Sequence, residues 1–116
     1  MKLYMVELTV SELSAGVAWY CGAVGLSLTL LDEANGFALL EGDAGRLSLK
    51  RGAPRPGGCR LMYEVPDLDA ELTRLEAVGV RVASPVKASA EGYRRALLHD
   101  PDGNEVAMFE WAGAHP

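Results

Sequence analysis

Five charged residues could do chemistry together. Glu7, Glu64 and Glu105 are carboxylates, Lys50 and Arg60 are cations, and each lies in an alternating segment that period-two spacing reads as a strand with one face turned to a common side. Glutamates so placed can serve as bases or hold Mg²⁺ or Mn²⁺, and a guanidinium can polarise a carbonyl or carboxylate. Ion pairing, for example of Arg60 with Glu7 or Glu105, is the plainer use of the same groups. Nucleophilic catalysis has less support. Ser48 has no histidine nearby to suggest a triad, and neither Cys21 nor Cys59 has a visible base or a C-x-x-C partner. His99 reads as a residue at a hairpin edge and His115 as part of a tail. Asp100 and Asp102 resemble paired carboxylates but belong to a turn, as does Gly42-Asp43-Ala44-Gly45, which lacks a phosphate-loop pattern.

The elements that must position these groups repeat. Ala96 to Phe109 reads strand, Asp-Pro-Asp-Gly-Asn turn, strand: a hairpin. The stretch Ala38 to Leu49 has the same character, its Ala-Leu-Leu lying 58 positions earlier, and Val10-Ser11-Glu12-Leu13 answers Val65-Pro66-Asp67-Leu68 at an offset of 55. Leu3 to Val10 alternates as a strand. Ser11 is placed to cap a helix whose apolar stripe is Leu13, Val17, Tyr20 and Val24, with Gly25 closing it. Strands follow at 26–31, 37–41 and 46–51. Gly52 to Gly58 has the composition of a linker. After it come a strand at 59–65, a helix from Pro66-Asp67 with Leu68, Leu72 and Leu75 in line, a strand at 80–83, a polar loop at 84–92, and strands at 93–98 and 104–111. The expected organisation is one α+β domain over residues 1–116: two βαβββ modules in tandem, 1–52 and 59–111, joined by a linker at 53–58 and ending in a tail at 112–116. One helix covers one face of each small sheet, so two modules side by side are expected to curve into a cup with the helices outside.

The chain has 116 residues, a net charge of −5 and 49% hydrophobic residues, which suits one globular domain with a real core. The acidic balance argues against nucleic acid or an anionic membrane as partner and is compatible with a cationic small molecule. The N-terminal residues lack the apolar core of a signal peptide and no run is long enough to span a membrane, so a cytoplasmic location is expected. The two cysteines read as reduced thiols, buried or half-buried.

In order, spacing and duplication, five segments resemble the vicinal oxygen chelate superfamily, which includes glyoxalase I, bleomycin-resistance proteins and extradiol dioxygenases. They are Val6 to Leu13, Trp19-Tyr20 with Gly25-Leu26, Val65 to Ala70, Ala77 to Val80, and Asp100 to Asn104. The resemblance implies metal ligands on four strands facing the cup. The matching positions hold Met5, Ser48, Arg60 and Ala107, a set without the carboxylate or imidazole donors that a divalent ion needs. No metal or other cofactor is therefore expected. The implied lining mixes charge (Glu7, Lys50, Arg60, Glu64, Glu105) with Met62, Phe109 and, at the rim, Trp111; few polar groups on an apolar concave wall suit a small ligand.

The leading expectation is metal-free binding of a small molecule, cationic or aromatic, in the cup between modules, without catalysis. The alternative is a lyase, isomerase or dioxygenase with a rebuilt metal site or Arg60–glutamate acid–base chemistry; an interaction domain with a closed cup is a third. The resemblance, and the sheet edges left by two modules, imply a homodimer.

Overall fold

The computed structural model describes residues 1–115 and divides into two compact units, Met1–Arg55 and Pro56 onward. Each unit is described in its own right.

The first unit runs β1 (Val6–Val10), α1 (Leu13–Trp19), β2 (Ser27–Asp32), β3 (Phe37–Gly42) and β4 (Gly45–Arg51), with sheet order β1-β4-β3-β2. The second runs β5 (Arg60–Glu64), α2 (Leu68–Ala77), β6 (Ser84–Ala88), β7 (Tyr93–His99) and β8 (Glu105–Trp111), with the corresponding order β5-β8-β7-β6. In both, the first strand pairs parallel with the last and the remaining neighbours are antiparallel. The parallel pair is possible because a helix supplies the crossover that a tight turn cannot. The expected α+β class and tandem βαβββ topology are what the chain forms.

Alternation decides which side of each sheet the helix covers. In the first unit Val10, Ala38, Leu40, Leu47 and Leu49 are buried on the helix side. The helix rides close there: a Cβ at Gly16 would stand 3.1 Å from Leu49 Cδ1 and 3.5 Å from Val10 Cγ1. In the second unit Leu68 and Leu75 of α2 and Ala96, Leu98, Val106 and Met108 of the sheet form the corresponding core. Burial of these side chains, each contributing about 1.5–3 kcal/mol for the larger ones, is what holds helix to sheet.

Several elements differ from expectation. The first helix is bounded by Glu12, not Ser11, and Glu12 makes no side-chain capping bond. Its buried stripe is Leu13, Gly16, Tyr20 and Ala23, while Val17 and Val24 are half-buried. The helix widens over Tyr20–Val24 into a π-helical turn, closed by Gly25 at φ 83°, a conformation that costs glycine little. The strand expected at 80–83 is not formed; the polar segment Ser84–Ala88 is β6 instead. Proline and lysine disguised it as a loop. β6 is an edge strand, and Pro85 lies within its register irregularity between Ser84 and Lys87, where no ladder bond needs its missing N–H. Cys59 is exposed, and Cys21 half-buried.

Two polar devices fix the second unit. Asp67 caps α2 by accepting from Ala70 N at 3.1 Å, and Glu110 on β8 accepts from Leu68 N at 2.9 Å and from Arg94 Nη1 at 2.7 Å. The β7–β8 turn is built around Asp100, only 4% exposed. Its Oδ1 accepts from the backbone N–H groups of Asp102 and Asn104, both at 2.9 Å, and its Oδ2 from Asn104 Nδ2 at 2.8 Å. Asp100 is thus a turn-builder, as its setting suggested.

Asp100→Ala strands those donors in a buried turn and is expected to cost about 2–3 kcal/mol, read as a lowered urea midpoint. Burial also raises the Tyr63 hydroxyl pKa above its usual 10.0. The unfolded chain then releases that proton first as pH climbs past 10, so this contribution to stability is intact below pH 10 and lost above it. Tyr63→Phe is expected to flatten the alkaline fall in a denaturation series from pH 9 to 11.

Candidate functional site

A single helix covers one side of each sheet and leaves the other side free of it, and register states which residues share that helix-free, open side. In the first unit Glu7 pairs with Ser48, Ser48 with Leu39, and Lys50 with Thr9 and Phe37. Ser48 is completely buried, and its Oγ donates to Glu7 Oε2 at 3.2 Å. Lys50 Nζ donates to the carbonyl of Asn35 at 2.7 Å and so is engaged at the β2–β3 turn. Asn35 also bonds Asp32 through its side chain at 2.8 Å; with the backbone bond and Lys50, it holds that carboxyl below the usual range. Met5 precedes β1 and is half-buried.

The second unit's open side is ordered in rows across the sheet. Arg60, Glu105 and His99 form the first; Met62, Ala107, Leu97 and Ser84 the second; Glu64, Phe109, Arg95 and Lys87 the third; and Trp111 with Tyr93 the fourth. Arg60 Nη2 lies 3.3 Å from Glu105 Oε2, the ion pair expected as one of two choices. Met62 is 42% exposed beside a fully buried Ala107. Phe109 and Trp111 join Tyr93 in one aromatic cluster, with centroids 5.2–5.7 Å apart. His115, expected in a tail, stacks on Trp111 at 4.5 Å with the ring planes 12° apart.

All the expected lining residues of the second unit that lie within strands therefore share one face. Missing from the expected set are Tyr93, Arg95 and Ser84, which stand on that face as well. The signal for two of them was in the hairpin: a turn pairing His99 with Glu105 forces Arg95 opposite Phe109 and Tyr93 opposite Trp111.

Metal ligation does not suit these side chains. Ser48 Oγ is spent as a donor to Glu7, Arg60 carries a positive charge against Glu105, and Met5 and Ala107 bring a thioether and a methyl group. Among the described residues no three His, Cys, Asp or Glu side chains converge to hold an ion. A groove of about 450 Å³ lies elsewhere, between α2 and β6, lined by residues including Leu72, Glu76, Arg81 and Pro85. It brings together no nucleophile and base.

A family model described as a glyoxalase-like domain matches residues 5–109. The chain belongs to the glyoxalase-like family. This places it in the vicinal oxygen chelate superfamily, and solved structures repeat the fold over nearly its whole length. A glyoxalase/bleomycin resistance protein/dioxygenase from Nocardioides is 22% identical, with TM-score 0.82, covering 100% of this chain and 87% of the other. TioX from Micromonospora sp. ML1 is 24% identical, with TM-score 0.76 and coverage of 95% and 99%. A lactoylglutathione lyase from Agrobacterium tumefaciens is 21% identical, with TM-score 0.78 and coverage of 94% and 92%. No curated protein matches the chain. Nor is any described helix long and apolar enough to cross a membrane.

The Arg60–Glu105 pair is partly exposed on both sides, so solvent screens it. Arg60→Ala is expected to change unfolding stability by less than about 1 kcal/mol, measured by urea titration. A larger loss would make this pair a structural clamp.

Proposed function

We propose that this glyoxalase-like chain binds a small aromatic molecule without a metal, using the open sheet face of its second unit. The observation that carries the reading is the composition of that face. Three aromatic rings in contact adjoin methionine, leucine and a few charged groups. Apolar surface with sparse polar groups gives a flat ligand its affinity and its orientation respectively. The intramolecular stack of His115 on Trp111 supports the choice of an aromatic guest, because this indole already accepts a flat partner.

The metal-free part of the reading rests on donor chemistry. Glu7 is occupied by Ser48, Glu105 by Arg60, and the positions matching the superfamily's ligands hold Met5, Ser48, Arg60 and Ala107. We further propose that the chain acts as a homodimer. β1, β2, β5 and β6 are the outer strands of their sheets, and their free backbone edges favour association.

Native mass spectrometry on protein purified without chelator tests the assembly and the metal together. A dimer carrying no metal is expected; stoichiometric metal would reject the donor argument, and a monomer the assembly. For the ligand, calorimetric titration with naphthalene derivatives should give binding that Trp111→Ala weakens roughly tenfold. Affinity unchanged by that substitution would place the ligand elsewhere.

A further inference from the structure

Two polar atoms on the second unit's open face are shut off from solvent without a hydrogen-bond partner: Arg95 Nη1 and Ser84 Oγ. They are close in the sheet. Ser84 stands opposite Leu97 and Arg95 opposite Lys87, on the paired strands β6 and β7. Such diagonal neighbours have Cβ atoms within roughly 7 Å, a gap that an arginine side chain spans.

A guanidinium cannot relieve this by losing its proton, since it stays charged throughout the range proteins experience. Nor does this face offer a neighbouring carboxylate. Glu105 is two rows' width away along β8 and already paired with Arg60, and Glu64 lies on the far side of Phe109 in the same row as Arg95. Glu110, which serves Arg94, projects from the helix side. Lys87, directly opposite Arg95, adds positive charge rather than an acceptor. Arg95 as a whole is only half-buried, so a modest turn of its long side chain brings the covered Nη1 out to a ligand on the face.

We propose that this face takes an aromatic ligand carrying an anionic oxygen group, a carboxylate or a phosphate. Arg95 Nη1 and Ser84 Oγ donate to the anion, and the Tyr93, Phe109 and Trp111 cluster holds the ring. Phe109 is the hinge of this arrangement, because it is register partner to Arg95 and ring partner to both Tyr93 and Trp111. The inference rests on the small-molecule reading above and narrows it. Overall acidity favours a cation, but the local field on this face is set by an unpaired guanidinium, whose fork geometry suits carboxylate and phosphate oxygens.

The test is calorimetric titration of the full chain with four probes that share one ring system: 2-naphthoate, 2-naphthyl phosphate, 2-naphthamide and 2-naphthylmethylammonium. At least one of the two anions is expected to bind about tenfold more tightly than the neutral amide, the preferred anion identifying the group. Arg95→Met should erase that preference, the affinity for the anion falling to that for the amide. Ser84→Ala should reduce the preference without removing it, and it carries the test if the arginine variant fails to fold. Amide or ammonium binding as tight as the anions overturns the anionic site and leaves the aromatic site standing. A preference that survives both substitutions overturns the assignment to Arg95 and Ser84. Failure of all four probes to bind rejects the small-molecule reading and this inference with it.

Discussion

One helix of seven to ten residues can cover only one side of a four-stranded sheet. The rest of each unit follows from that. Strand residues of one parity go under the helix and become leucine, alanine, valine and methionine; those of the other parity escape the demand for hydrocarbon and can carry function. Glu7, Ser48, Arg60, Glu105 and Arg95 are tolerated inside short strands because they hold the parity that the helix does not see. In the second unit Glu110 and Arg94 are exceptions on the covered side. They are used where α2 begins, binding each other and a free helix N–H.

The same topology carries two different open faces. In the first unit the centre is a serine–glutamate hydrogen bond flanked by Leu39 and Phe37, and Lys50 is drawn off to a turn. In the second the centre is Ala107, small enough to leave room beside Met62, and the ring cluster lies two residues further along β8. The helix-covered side is similar in both units, since packing against one helix asks for the same apolar residues twice. Divergence is greatest on the side where packing makes no such demand.

Much of the fold was legible from short-range chemistry. Gly25 closes a helix because it accepts positive φ, Asp67 caps because its carboxylate reaches a free N–H, and Asp100 forms its turn through local bonds. The duplicated strand order followed from alternation. β6 was illegible because Pro85 and Lys87 carry the composition of a loop, and only pairing with β7 makes the segment a strand. The site was half legible. Phe109, Trp111, Arg60 and Glu105 were visible as one alternating set, and Tyr93 and Arg95 follow once the hairpin register is carried across to β7. That Arg95 Nη1 has no partner depends on what every neighbouring side chain does, which no spacing rule contains.

The two antiparallel edges are defended unequally. β6 carries a proline, a lysine and a bulge, all of which discourage a foreign strand from adding to it. β2 shares such an irregularity, between Leu28 and Leu30, but has no proline or lysine: its sequence is Ser-Leu-Thr-Leu-Leu-Asp, with Leu28, Leu30 and Leu31 at 43%, 52% and 45% exposure. In colloidal terms β2 is an adhesive seam. β2 belongs to the first unit, and the ring cluster and Arg95 to the second, so this edge can be altered for solubility without substituting any residue of the proposed ligand face.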